Sequence, residues 1–151
     1  MNIDGSMRFA APALAACCIA LTGCASVDGA PAQPGLSTTL AGANVLPGPA
    51  DPDGSGTARI SFVEGAQNVC YDLAVRDIAP ATLAHIHSGL ASEVGGPPVV
   101  MLGTPTNGAA KGCVSAPQAA VDKIRANPAG YFVNIHNAEF PGGAIRGQLG
   151  G

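Results

Sequence analysis

Thr57-Ala58-Arg59-Ile60-Ser61-Phe62-Val63 and Val69-Cys70-Tyr71-Asp72-Leu73-Ala74-Val75 decide the fold. In the first segment Ala58, Ile60 and Phe62 fall on one side of an extended chain, with Arg59 and Ser61 on the other. In the second, Val69, Tyr71, Leu73 and Val75 oppose Cys70 and Asp72. Side chains alternate across a strand with period two, so both segments read as half-buried β-strands. Further strands are expected within Leu36–Leu46, at Thr82–His87, at Pro98–Leu102 and, briefly, at Gly112–Val114. Tyr131–His136 and Ala144–Leu149 read as a closing pair joined by Phe140-Pro141-Gly142-Gly143. One short helix is predicted near 116–127, with Ser115 as its cap, Pro117 in its first turn and Ala120, Val121 and Ile124 as its apolar stripe. Asn127-Pro128 ends it. Short strands separated by turn-rich segments such as Pro47 to Gly56 predict an all-β domain, a Greek-key sandwich or barrel.

Composition agrees and narrows the function. The chain has 151 residues, enough for one modest core, with 21 glycines and 13 prolines that suit a loop-rich β domain. Only 11% of residues are charged and the net charge is −3. The basic residues Arg8, Arg59, Arg76, Lys111, Lys123, Arg125 and Arg146 form no stripe, so nucleic acid is not an expected partner.

Phe9 to Leu21 is apolar or small and too short to span a bilayer comfortably. It ends at Leu21-Thr22-Gly23-Cys24, which resembles the lipobox of bacterial lipoproteins. That resemblance implies a signal peptide over 1–23, lipidation of Cys24 and membrane attachment through the lipid. The alternative is a buried N-terminal helix. Asp4 is unusual in a signal peptide, so Met7 competes with Met1 as the start. Ala25 and Ser26, with no aspartate beside Cys24, imply the outer membrane, facing the periplasm or the surface. Residues 24–35, with Pro31 and Pro34, read as a flexible tether, which leaves 36–151 as the folded domain. Cys17 and Cys18 would leave with the signal peptide. Cys70 and Cys113 remain, and an oxidising envelope favours one disulfide between them over soft metal ligation. A loop of about forty residues closed in this way is worth about 3–4 kcal/mol in the chain-entropy model.

The chemistry concentrates in three histidines. His85 and His87 flank Ile86 and therefore share one face of a strand. An antiparallel neighbour carrying His136 would complete a cluster of three imidazoles, either a metal site or polar packing. In the packing alternative, His85 and His87 pin the Ser88–Pro98 connection, while Asn134 and His136 pin the Asn137–Gly143 turn. Arg146 would then make a salt bridge with Asp72, Asp77 or Glu139.

Several of these residues carry a family resemblance. Ala84-His85-Ile86-His87-Ser88-Gly89, Gly95-Gly96-Pro97-Pro98-Val99-Val100-Met101-Leu102, Asn127-Pro128, Tyr131 to His136 and Phe140 to Leu149 resemble, in order, the signature of the CHRD (chordin-type) domain. Leu40 to Pro47 is similar to that family's first strand. The resemblance covers about 36–150 and implies a superoxide-dismutase-like or immunoglobulin-like β framework with no settled activity. A more distant similarity is to the copper–zinc superoxide dismutase barrel. It implies copper ligation by His85, His87 and His136, with Arg146 guiding an anion. The chain lacks a bridging histidine and a zinc cluster, so the similarity implies at most one mononuclear copper centre.

Neutral imidazole suits copper or, less strongly here, zinc, and copper heads the divalent affinity order. Three protein ligands leave one position open. A carboxylate or carbonyl must hold each ring's second nitrogen, for which Asp72, Glu93 and Glu139 are candidates. Asn134 is expected as a hydrogen-bonding support. No catalytic serine elbow, phosphate loop or dinucleotide fingerprint is present, so no catalytic residue is nominated. A copper-binding module is therefore the leading expectation. A non-catalytic adhesion or interaction domain is the alternative, and superoxide dismutation is a third, lesser one.

Overall fold

A computed structural model describes Met1, residues 35–63 and residues 65–150. Cys24, the signal segment and the tether up to Pro34 lie outside the described residues. Eight strands are present among them: β1 (Leu36–Ala41), β2 (Ser55–Phe62), β3 (Asn68–Arg76), β4 (Ala81–Ser88), β5 (Pro98–Met101), β6 (Ala109–Ser115), β7 (Tyr131–Asn137) and β8 (Ile145–Gln148). Helix α1 (Gln118–Ala126) lies between β6 and β7. The strands form one sheet in the order β5-β4-β7-β8-β1-β2-β3-β6, curled into a nearly closed barrel. All its ladders are antiparallel. The path β3→β4 leaves β3 beside β6, and the path β6→β7 returns to β4. These two crossings give the Greek-key topology, as the sequence predicts.

The alternation read from the sequence is the barrel's inside and outside. Ile60, Val69, Leu73, Ile86, Val133, Ile135 and Ile145 are fully buried and face the interior. Val121 and Ile124 of α1 join the same core. At about 25 cal/mol per Å² of apolar surface removed from water, these side chains contribute roughly 1.5–3 kcal/mol each. Cys70 and Cys113 stand directly opposite one another in the β3–β6 ladder and are joined by a disulfide, as expected.

The first strand lies within Leu36–Leu46 as expected and stops at Ala41, where Gly42–Asn44 turns into a short 3-10 helix; two further details differ from the sequence reading. A Cβ on Gly42 would collide with the Asp51 carbonyl, so the chain needs glycine to turn there. Strand β6 is longer than Gly112–Val114 because the whole run from Ala109 pairs with β3. Ser115 does not cap the helix: it stays in that ladder opposite Asn68, and Pro117 takes the capping position without a side-chain hydrogen bond.

Candidate metal centre

The site is built on the outer faces of β4, β7 and β8. Ile86, Val133, Ile135 and Ile145 point inward, so their neighbours point out. His85 and His87 therefore share the outer face of β4 with Phe132, Asn134 and His136 of β7 and with Arg146 and Gln148 of β8. The register sets Asn134 between His85 and Arg146, and Phe132 between His87 and Gln148. The β4–β5 connection folds over this face and buries it: His85 is 5% exposed, His136 8% and Arg146 2%.

The three imidazoles come together. Ring centroids of His85 lie 4.4 Å from His87 and 4.5 Å from His136. One ring nitrogen from each residue lies within 4.8 Å of the others. Three ligand atoms this close together could hold a metal ion between them. The hydrogen bonds then select which nitrogens are free. His87 Nδ1 sits 2.7 Å from the Gly96 carbonyl and His136 Nδ1 sits 2.8 Å from the Pro141 carbonyl. A carbonyl can only accept, so each Nδ1 carries a proton, and in a neutral ring the lone pair is then on Nε2. His87 Nε2, His136 Nε2 and His85 Nδ1 are all buried with no hydrogen-bond partner among the described residues.

The electrostatics oppose protonation. Burial, reinforced by His87 and then His136, pushes the His85 pKa down from 6.5 to about 4. Burial also lowers the His87 pKa; the Gly96 bond opposes this, while His136 and Arg146 add to it. A metal ion requires neutral imidazoles, the form that these shifts favour at His85 and His87.

The supports are backbone carbonyls, not carboxylates. Asp72 is on a distant part of the barrel, 3.0 Å from Lys111 in an exposed pair. Glu93 accepts the backbone N–H of Leu90 through its carboxylate. Glu139 lines the cavity mouth but holds neither imidazole Nδ1. The loop geometry that presents Gly96 and Pro141 makes a carboxylate unnecessary at those two nitrogens. Asn134 donates a long 3.4 Å bond to the Gly142 carbonyl, and its Oδ1 is buried and unpartnered.

Arg146 makes no salt bridge with Asp72, Asp77 or Glu139 among the described residues. Its Nη1 donates to the Glu93 carbonyl at 2.7 Å and its Nη2 to the Leu90 carbonyl at 2.8 Å. Its Cζ lies 3.4 Å over the Phe132 ring, a cation–π contact. Burial lowers the guanidinium pKa, with the Glu93 carboxylate acting the other way. A cavity of about 450 Å³ reaches His87 and His136 between Leu46, Pro47, Val94 and Phe140. Arg146 lines a different, smaller cavity of about 200 Å³ with Asn44 and Gln148.

Phe132 and Gln148 are parts of the site that sequence reasoning missed. Phe132 stacks on His87 with centroids 5.1 Å apart and rings 10° from parallel. Its signal was available: counting back by twos from His136 through Asn134 places it on the outer face.

Three imidazoles thus converge on the outer face of an antiparallel Greek-key domain, a group that could hold one metal ion. The family model of the CHRD domain matches residues 36–149, and the chain belongs to that family. No curated protein and no solved structure matches the chain.

Proposed function

We propose that this CHRD domain is a metal-binding module whose ion, copper before zinc, is held by His85 Nδ1, His87 Nε2 and His136 Nε2. One observation carries the reading: on three neighbouring rings a buried nitrogen has no hydrogen-bond partner among the described residues. Structural histidines explain the two Nδ1 bonds to carbonyls but leave these three nitrogens without a role. Each buried unpaired polar atom costs about 1–3 kcal/mol, which a shared cation offsets. An all-nitrogen donor set favours copper over magnesium or calcium. Three protein ligands would leave one position open to a small exogenous ligand, and a cavity reaches two of them, His87 and His136. With Nη1 and Nη2 of Arg146 engaged by carbonyls, support for the site lies with metal holding rather than with turnover of an anion such as superoxide.

The second part of the proposal is cellular. The lipobox-like Leu21-Thr22-Gly23-Cys24 supports a lipid anchor at Cys24, placing the module on the bacterial envelope, at the outer membrane. Metal analysis and copper titration of the purified protein test the first part against a His85→Ala/His87→Ala variant. Stoichiometric copper lost in the variant is expected, whereas a metal-free wild type that matches the variant returns the domain to an adhesion or interaction role. Membrane fractionation of Cys24→Ala tests the second part, with release from the membrane expected.

A further inference from the structure

We infer that Arg146 is a positioning residue: it clasps the β4–β5 loop onto Phe132 and so holds the Gly96 carbonyl that orients His87. The inference rests on the metal-binding reading above for its purpose, though not for its geometry. The loop from Gly89 to Gly96 is otherwise exposed, and few of its side chains reach the core. What fastens it is a set of polar ties to outward-facing residues of β8. Arg146 takes the Leu90 and Glu93 carbonyls, and Gln148 Nε2 takes the Gly89 carbonyl at 2.9 Å. Inside the loop, the Glu93 carboxylate accepts from Leu90 N–H at 2.9 Å, and Gly96 N–H donates to the Ser88 carbonyl at 2.8 Å.

Gly96 lies three residues after the tied Glu93 carbonyl and presents its own carbonyl to His87 Nδ1. The His87 ring also lies flat against Phe132, on which the guanidinium rests. One buried cation therefore sets both surfaces that fix the His87 ring, its carbonyl acceptor and its aromatic support. A guanidinium buried without a carboxylate partner is costly. A planar fork that satisfies two carbonyls while stacking on an aromatic ring is something Lys cannot reproduce.

The test uses the full chain with Arg146→Gln and Arg146→Lys. In the metal-free protein, nitrogen NMR reads the tautomer of each histidine ring, and competition titration reads copper affinity. Both variants are expected to mix the His87 tautomers, while His136, pinned by the separate Pro141 turn, keeps its proton on Nδ1. Copper affinity should fall by roughly 10–100-fold, the usual effect of losing a group that orients a ligand. Glu93→Ala, which keeps Arg146 but removes the tie to Leu90 and the carboxylate that favours the guanidinium charge, should shift both readouts in the same direction by less, and it decides the matter should Arg146→Gln fail to fold. The inference is overturned if folded variants leave the His87 tautomer unchanged, or if His87 and His136 change together, as general loosening would produce. A wild type that takes up no copper sinks the metal reading alone, since the tautomer comparison still judges the clasp.

Discussion

His85 and His136 meet diagonally across the β4–β7 ladder: His85 lies opposite Asn134, His136 lies opposite Leu83, and yet their ring centroids are 4.5 Å apart. A ligand shared by residues so far apart in sequence ties together two strands at the crossing of the Greek key. Binding to the folded state alone stabilises it by about 2.7 kcal/mol when free ligand is at a hundred times its dissociation constant. Copper should therefore raise the melting temperature of the wild type. His136→Ala should abolish the shift as completely as His85→Ala does, as thermal scans with and without copper would show. A shift that survives in His136→Ala would place the ion elsewhere.

Acid should weaken the metal-free domain. His85 has its pKa lowered to about 4 in the folded state, against 6.5 in an unfolded chain. Between those values the unfolded state binds more protons, so stability rises with pH there and is lost as pH falls from about 6.5 to about 4. The contribution is on the order of 1–3 kcal/mol, and the lowered pKa of His87 acts in the same direction. The measurement is denaturant unfolding of wild type and His85→Gln at pH 7 and pH 4.5. The wild type should lose more stability on acidification than the variant, which has no proton to gain at this position. Equal losses would contradict the assignment.

Cys70 and Cys113 face each other in β3 and β6, and β6 pairs with no other strand among the described residues. The bridge spans 43 residues of sequence, including all of β4 and β5. The chain-entropy model assigns such a loop about 4 kcal/mol. Cys70→Ser/Cys113→Ser should lower unfolding free energy by about 2–4 kcal/mol, seen as an earlier denaturant midpoint. A loss near zero would mean that the ladder alone holds β6.

How much of this was legible in the sequence depended on whether side chains or backbone did the work. Strands β2 and β3 were legible because large apolar residues alternate with Arg59, Ser61, Cys70 and Asp72. The start of β6 was not, since Ala109, Ala110 and Gly112 are too small to show a period. The shared face of His85 and His87 followed from period two, and His136 followed from strand pairing. The acceptors at Gly96 and Pro141 did not, because a carbonyl exists at every residue and only loop geometry selects one. Arg146 is legible as a functional residue but not in its partners, because a guanidinium suggests a carboxylate whereas the fold supplies two carbonyls and an aromatic ring.

Gly95 offers the most local test of how the cover loop is held. Its φ is +90°, a conformation that costs any L side chain, and a Cβ there would sit 2.6 Å from two atoms of the Phe132 ring. The ring cannot retreat, since Phe132 is 1% exposed, with His87 stacked on it and Arg146 over it. Gly95→Ala therefore combines backbone strain with overpacking, and a stability loss of about 2 kcal/mol or more is expected. Gly142→Ala is the matched control, because a Cβ there meets nothing within 4 Å and the backbone is not in the left-handed region. Unfolding measurements on the two variants should separate them clearly. Equal stabilities would show that the loop moves off Phe132 at little cost, and the burial of the three imidazoles would then rest on something other than that contact.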